Sequence, residues 1–526
     1  MKTSLELLTL LLLLVSCTDS LDVREDSGRY VSENLGHEML VLGEQLSDPY
    51  SIDNVVMAVK SLYPEKGARV DIKPTDIYVR FLPSDDSELE RLESLGIFLI
   101  DHPLDYSIVK EGDYYHDPLI DENSITWQYA VVPSDFNFPR GIEFEILDKC
   151  YIAENDVATR ADGIDWAAVE AESFRLTGNA GLLTSQETKG GSGACAPSGR
   201  IEIVDEDYNS GKPVGVAGVM VCVNSFVKFA TCQTDDEGYY EMKKKFSSDV
   251  RYRIVFKNKK GFGIGVNLLL VPASISTLGK NSPEGVDVKV TKDSDWKMFT
   301  RCVVNNAAYD YYEKYSCEDS SILPPPSNLR IWIFRKLSDS SAPMLQQGVL
   351  LENGLISKYL GEYADLLRIF LPDITLGLKD ADDYASIYST VCHELAHSSH
   401  FMLAGKSYWS AYIYHVLKSF VSSGESYGSG TEKNAGYCEV GEMWAYYMEN
   451  VVFRDRYGRD SATRGVSFWF YPQIFLYLDE RGLDADKIYR VLTSDVNSRE
   501  TLRAALADAY PEYRTIVEQA FERYGY

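Results

Sequence analysis

Three of the seven histidines of this 526-residue chain lie between positions 393 and 400, in the sequence VCHELAHSSH of residues 391–400. His393, Glu394 and His397 form the pattern HExxH. On a helix, residues four apart lie one turn apart on the same face, so both imidazoles can reach one ion. Glu394 lies beside them, where it can hold a metal-bound water. The segment therefore predicts a helix that binds a catalytic metal ion, and zinc is the expected ion.

The flanking sequence is typical of a helix with one buried side. Asp383 is a good residue for the helix start, and Gly405 is a good residue for its end. Between them, apolar residues recur at helical spacing, which predicts a face packed into a core. A core helix with two hydrogen-bonded histidines is the alternative, but packing alone does not cluster histidines in a histidine-poor chain. The apolar residues are Tyr384, Ile387, Tyr388, Val391 and Leu395.

A catalytic zinc site needs a third protein ligand and one open position. The metzincin pattern HExxHxxGxxH is absent, because positions 400 and 403 are His400 and Leu403. The sequence GEMWA, which contains Glu442, resembles the E-x-x-A helix of gluzincins, including the lethal-factor type. This resemblance implies that Glu442 is the third ligand and that zinc is the cofactor. Glu439 and Glu449 lie on nearly the same helix face and remain alternatives.

The gluzincin resemblance implies a zinc metallopeptidase in which Glu394 is the general base toward the zinc-activated water. In that family a Tyr or His near the third ligand often stabilises the oxyanion. Tyr427, in the sequence SYG, resembles the tyrosine loop of the lethal-factor type, and Tyr437 is nearer to Glu442 in sequence. Residues 366–371 (LLRIFL) have the placement of the gluzincin edge strand, to which a peptide substrate can add as a further strand.

Two other functions remain open. The chain can be a non-catalytic surface lipoprotein that uses a zincin fold for binding or assembly, or a zinc hydrolase of a non-peptide amide or glycan-linked substrate. An intact Glu394 favours catalysis over a structural metal site, since a structural site needs no base. A further hypothesis concerns Cys392 and Cys438, which can form a disulfide if the two metal-binding helices face each other.

The N-terminus predicts export. Residues 1–17 read MKTSLELLTLLLLLVSC, with a basic Lys2 followed by an apolar run. The run is shorter than the about 20 residues that span a bilayer, so a secretory signal peptide is expected. Its end, LVSC, resembles the bacterial lipobox, which implies lipidation at Cys17. We therefore expect an outer-membrane lipoprotein of a gut Gram-negative bacterium, on the cell surface or its periplasmic face, with residues 18–46 as a tether.

The remaining sequence predicts a multidomain protein. Residues 47–150 mix a helix with strand-like runs and predict an α+β N-terminal domain, and residues 151–198 have linker composition. Residues 199–275 contain PVGVAGVMV followed by TDDEGYY, which resembles the carboxypeptidase regulatory-like, transthyretin-like β-sandwich, usually a non-catalytic spacer. Residues 296–526 are expected to form the mainly helical α+β metallopeptidase domain of zincin type.

An acidic loop in the predicted sandwich imitates a calcium site. Asp205, Asp207 and Asn209 alternate as calcium ligands do. An EF-hand loop also needs Gly at its sixth position and Glu at its twelfth, but these positions are Ser210 and Val216. A hairpin loop is therefore expected here.

The charge of the chain limits its partners. The formal net charge is −27, which opposes binding to nucleic acid or to an anionic membrane surface through a basic patch. The expected partners are a protein or peptide substrate and, through Cys17, a membrane.

Overall fold

The computed structural model describes most of the chain after residue 37. The predicted signal peptide, Cys17, the first part of the tether and the edge strand predicted at residues 366–371 lie outside the described residues. Within the described part, no helix is both long enough and apolar enough to cross a membrane. The described residues are 38–65, 71–121, 124–156, 163–184, 194–265, 275–335, 340–349, 372–423, 426–465 and 468–525.

The N-terminal region combines helices with two antiparallel sheets. One has the strand order β4-β2-β5, and the other pairs β1 with β3. The central strand β2 is buried on both faces, because Val79 and Phe81 pack in one apolar cluster and Tyr78 packs in another. The mixture of a helix and strands expected for residues 47–150 is confirmed, with a helix at residues 52–62 and a strand at residues 76–82 among its elements. The elements are β1 (Val41–Gln45), α1 (Ile52–Leu62), β2 (Asp76–Leu82), α2 (Asp86–Ser94), β3 (Tyr106–Lys110), β4 (Gln128–Pro133), β5 (Glu143–Cys150) and α3 (Trp166–Leu176).

The middle region contains two four-stranded sheets. One has the order β10-β6-β14 with β7 paired to β6, and the other has the order β13-β11-β8-β9. Val221 and Val223 of β8 pack in the same buried cluster as Ile203 of β6, while Met220 and Cys222 face a second cluster. The side chains of β8 thus alternate between two buried faces. The strands are β6 (Ser198–Val204), β7 (Pro213–Gly215), β8 (Met220–Ser225), β9 (Lys228–Gln233), β10 (Tyr239–Glu241), β11 (Val250–Val255), β12 (Gly263–Gly265), β13 (Ile275–Asn281) and β14 (Val288–Val290).

The C-terminal region is mainly helical, with a small parallel sheet of order β12-β15-β16. At the outer edge of β16, Ser341 forms an antiparallel bridge with Thr375. The mainly helical character expected of residues 296–526 is confirmed. The elements are α4 (Trp296–Tyr315), β15 (Arg330–Phe334), β16 (Ile374–Gly377), α5 (Tyr384–Ser423), α6 (Ala435–Tyr457), α7 (Gln473–Asp479), α8 (Ala485–Val491), α9 (Arg499–Ala509) and α10 (Arg514–Arg523).

The middle and C-terminal regions share one hydrophobic core. A single buried cluster extends from Ile201 in β6 to Phe521 in α10. The small parallel sheet also joins the two regions, since β12 lies in the middle region and pairs with β15. The strands of the middle region therefore form part of the body that supports the helices α5 and α6.

Candidate metal centre

Helix α5 carries the two histidines, and local interactions define its bounds as predicted. The Asp383 carboxylate accepts a hydrogen bond of 2.7 Å from the backbone N–H of Ser386, which caps the helix start. At Gly405 the backbone has φ +79° and ψ 177°, which is not helical and which residues with a side chain rarely adopt. The helix that carries His393 and His397 therefore ends at Gly405, and a second helical stretch follows it directly.

Helix α6 runs antiparallel to α5. Near the start of α5, the Ser389 hydroxyl donates to the Glu449 carboxylate. Farther along α5, the Tyr408 hydroxyl donates to the backbone carbonyl of Tyr437, at the start of α6. This arrangement places the middle of α6, with Glu442, opposite the two histidines.

His393, His397 and Glu442 form a group that can hold a metal ion. The Nε2 atoms of His393 and His397 each lie 3.4 Å from an oxygen of Glu442, and the three ligand atoms lie within 4.8 Å of one another. Ligand atoms that are about 2.0–2.1 Å from a tetrahedral zinc ion lie about 3.4 Å apart, so both distances fit such an ion. Among the described residues, this is the one group of His, Cys, Asp and Glu found with such geometry.

Glu394 is buried, as are His393, His397 and Glu442. It is 3% exposed, and its Oε2 atom has no hydrogen-bond partner. Burial raises the pKa of Glu394 to about 8, and the charges of Glu442 and Glu449 add to this while His393 opposes it. A buried carboxyl oxygen without a hydrogen-bond partner is costly, so Glu394 Oε2 beside His393, His397 and Glu442 points to a polar ligand.

The third-ligand alternatives have other partners. Glu449 Oε2 lies 3.4 Å from His393 Nδ1, the nitrogen that faces away from Glu442, and Thr463 donates a hydrogen bond of 2.7 Å to Glu449. Carboxylates in this position commonly orient a metal-binding histidine. Glu439 instead forms a salt bridge of 3.0 Å with Arg499. The structure thus places Glu442 in the group, Glu449 behind His393, and Glu439 outside.

The structure brings Tyr427 to the site through another tyrosine. The Tyr427 hydroxyl lies 3.3 Å from the Tyr446 hydroxyl, and the Tyr446 ring lies 4.4 Å from the His393 ring, centroid to centroid. Tyr437 has different neighbours, because its hydroxyl accepts a hydrogen bond from Asn497 and its ring packs on Tyr408. Tyr437 thus contacts Asn497 and Tyr408 rather than His393, His397 or Glu442.

Two tyrosines at the site were not predicted. The Tyr412 hydroxyl donates to Oε1 of Glu442. Tyr412 follows the change of direction at Gly405, so helical periodicity cannot relate it to the histidines. Tyr446 lies one turn after Glu442 on the same face of α6, and that spacing was a signal that sequence reasoning could have used.

His400 and the two cysteines belong to the core around the site. His400 Nε2 donates to the backbone carbonyl of Leu492, and burial lowers its pKa to about 3, which keeps it neutral. Cys392 and Cys438 are buried free thiols, so the disulfide hypothesis is wrong. Because α5 and α6 are antiparallel, Cys392 lies toward the Glu449 end of the pair and Cys438 toward the opposite end.

Comparison with known proteins found no relative of this chain. No family model matches the chain, and neither a curated protein nor a solved structure matches it.

Proposed function

We propose that this chain is a zinc-dependent metallopeptidase of gluzincin type. The observation that carries the proposal is the buried Glu394 carboxylate, which has an unpaired oxygen and neighbours a group of two histidines and Glu442. A purely structural zinc site is closed by a fourth protein ligand and needs no additional carboxylate.

The roles of the side chains follow from their positions. When bound, zinc lowers the pKa of its water ligand toward about 7 and polarises the scissile carbonyl. Glu394 would accept the proton of that water and transfer it to the leaving amine. Glu449 would hold the orientation of His393 through Nδ1, and Tyr412 would hold the Glu442 carboxylate through its hydroxyl.

The tyrosine pair beside His393 is the candidate oxyanion donor. Burial and the charge of Glu442 raise the pKa values of Tyr427 and Tyr446 above their usual range. Both hydroxyls therefore keep their protons near neutral pH and can donate hydrogen bonds. Their separation of 3.3 Å would allow Tyr427 to orient Tyr446 toward a carbonyl oxygen at the metal.

The sequence supports the cellular part of the proposal. The signal-like residues 1–17 and the lipobox resemblance at Cys17 favour a lipoprotein of the outer membrane, exposed on the cell surface or the periplasmic face. The substrate would then be an extracellular or periplasmic protein or peptide. Mass spectrometry of the N-terminal peptide from the native host would detect the lipidated Cys17.

The test combines metal analysis with cleavage of a peptide library. We expect wild-type protein to hold about one zinc and to lose cleavage on chelation. Glu394→Gln should keep the metal and lose cleavage, while His397→Ala and Glu442→Ala should lose both. Glu439→Gln is the matched control on α6 and should keep both, because Glu439 pairs with Arg499 rather than with a histidine.

Three outcomes would contradict the proposal. Full cleavage by Glu394→Gln would remove the general base. Zinc binding without hydrolysis of any amide would favour the non-catalytic surface protein. Hydrolysis confined to non-peptide amides or glycan-linked substrates would retain the zinc site and the base but change the substrate class.

A further inference from the structure

The acidic loop after β6 contacts the end of the helix that carries Glu442. Asp205 is fully buried in this loop. Its Oδ2 atom accepts hydrogen bonds from Nε and Nη2 of Arg456, at 3.1 and 2.9 Å, and from the Tyr457 hydroxyl, at 2.9 Å. Its Oδ1 atom accepts from the backbone N–H of Asp207. Both oxygens of the Asp205 carboxylate therefore accept hydrogen bonds from the protein. The positive charge that neutralises Asp205 belongs to Arg456 of α6 rather than to a calcium ion.

Four segments of the chain meet at the Arg456 guanidinium. Its Nη1 atom donates to Asp310 of α4 at 2.9 Å, in addition to the bonds with Asp205. The guanidinium also lies against aromatic rings from the acidic loop, from the start of α5 and from α6, at distances favourable for cation–π interaction. We call these residues the Arg456 junction: Asp205, Tyr208, Asp310, Tyr384, Tyr388, Arg456 and Tyr457.

The junction lies on both metal-binding helices. Tyr388 precedes His393 by five residues on α5, a distance of about 7.5 Å along a helix. Arg456 follows Glu449 by seven residues on α6, a distance of about 10 Å. The Ser389 hydroxyl, next to Tyr388, bonds to Glu449, which contacts His393. A displacement at the junction would therefore change the separation of the histidines from Glu442.

The Asp205–Arg456 pair is strongly shielded from water. The Asp205 side chain is 0% exposed and the Arg456 side chain is 11% exposed, whereas the Asp310 side chain is 39% exposed. Replacing Asp205 leaves Asp310 as the remaining carboxylate partner of Arg456. The buried guanidinium then loses its better shielded counter-charge, and the surrounding helices must accommodate this loss by moving or by admitting water. The neighbouring pair Asp207–Arg459 has a similar distance of 2.6 Å, but both of its side chains are more than half exposed. An exposed pair contributes little, so the two aspartates form a matched comparison.

We propose that Asp205 is a positioning residue for the metal centre, which it influences through Arg456. The inference rests on the proposed zinc site and extends it, because it makes the strand-rich middle region a working part of that site rather than a spacer. Metal affinity depends on ligand positions held within a fraction of an ångström by the surrounding side chains. The Arg456 junction supplies such support from the side of α5 and α6 that faces the middle region.

The test compares Asp205→Asn with Asp207→Asn in the full mature chain. Zinc affinity is measured by competition with a chelator, and ligand geometry is measured by the visible absorption spectrum of the cobalt-loaded protein. We expect Asp205→Asn to weaken zinc binding about 3- to 10-fold, less than the about 10- to 100-fold loss given by residues that contact a metal ligand directly, and to alter the cobalt spectrum. Asp207→Asn should leave both measurements at their wild-type values.

Thermal unfolding of the metal-free variants separates positioning from simple stabilisation. If Asp205→Asn lowers the melting temperature but keeps wild-type zinc affinity and cobalt spectrum, the positioning role is refuted. If Asp205→Asn does not fold, Tyr457→Phe replaces it, since this variant removes one hydrogen bond to Asp205 and keeps both charges. Tyr457→Phe should weaken zinc binding and shift the cobalt spectrum to a smaller extent, and unchanged values would refute the role.

The same experiment distinguishes the two proposals. A wild-type chain that binds no metal would overturn the proposed function together with this inference. A wild-type chain that binds zinc and cleaves peptides, with Asp205→Asn equal to it in affinity and spectrum, would overturn the positioning role alone.

Discussion

Replacing Glu449 should weaken metal binding although Glu449 is not a metal ligand. Its carboxylate lies 3.4 Å from His393 Nδ1 and is held by the hydroxyls of Ser389 and Thr463. When His393 binds a metal through Nε2, its Nδ1 carries the proton and donates to Glu449. This charged acceptor fixes the ring orientation and makes the histidine a better ligand.

The magnitude follows from the type of contact. A hydrogen bond to a charged partner is about twice as strong as one between neutral groups, and Glu449→Gln keeps an acceptor without the charge. We expect zinc affinity to fall about 10-fold for Glu449→Gln and toward about 100-fold for Glu449→Ala. A tenfold loss corresponds to about 1.4 kcal/mol. The thermal stabilisation that saturating zinc provides should decrease by the same amount.

The metal-free protein should respond in the same direction but less strongly. Without a metal, Glu449 still pairs with His393 through Nδ1, and although burial opposes it, the contacts with Glu442 and Glu449 raise the pKa of His393 well above its usual value. We therefore expect Glu449→Gln to lower the melting temperature of the apoprotein, and to lower that of the zinc-bound protein further.

The assay is differential scanning calorimetry with and without zinc, together with chelator competition. Glu439→Gln is the control, because it removes a buried carboxylate from the same helix without touching a histidine. The reasoning is refuted if Glu449→Gln binds zinc as tightly as the wild type, or if the control loses as much affinity.

Three further predictions concern other parts of the structure. Tyr412→Phe removes the hydroxyl that bonds to Glu442 and should weaken zinc binding about 10-fold by the chelator assay without unfolding the protein; unchanged affinity would contradict this. Gly405→Ala should lower the free energy of unfolding in urea by about 1–3 kcal/mol, because a φ of +79° strains any residue with a side chain. Gly181→Ala is the control, since its added Cβ is equally free of neighbours and its φ is not positive. It should lower the free energy of unfolding by about 0.5 kcal/mol. Burial raises the pKa of Asp48 to about 8. Between about pH 4 and 8 the folded protein therefore keeps a proton on Asp48 that the unfolded protein has released. The free energy of unfolding of the wild type should fall across this range as pH rises from about 4 to 8. Asp48→Asn cannot ionise and should show a smaller fall between pH 5 and 8 in urea unfolding, and an equal fall in both proteins would refute this.

The group of His393, His397 and Glu442 was largely predictable because most of its signals are local. HExxH on a helix fixes the relation between His393 and His397 whatever surrounds it. The cap at Asp383 and the break at Gly405 depend on neighbouring residues and were also predicted. Glu442 required the gluzincin resemblance, since spacing alone left Glu439 and Glu449 as alternatives.

The rest of the site depends on packing that spacing does not encode. Tyr412 reaches Glu442 only because the chain changes direction at Gly405 and α6 returns antiparallel. The same antiparallel arrangement separates the two cysteines that sequence proximity to the ligands suggested as a pair. Asp205 was predicted to lie in a hairpin loop, and nothing in its sequence surroundings indicates Arg456, which lies 251 residues away.

The shared core has a consequence for how the protein reaches its native state. Ile201 and Phe521 belong to one buried cluster, and β12 needs β15 as its parallel neighbour. Pairings so distant in sequence form slowly, because the intervening chain must close a long loop first. A chain exported from its N-terminus would present the strands of the middle region before their helical partners arrive. We therefore expect folding of this region to follow the completion of export, with a dependence on chaperones that protect apolar strands until α10 has emerged.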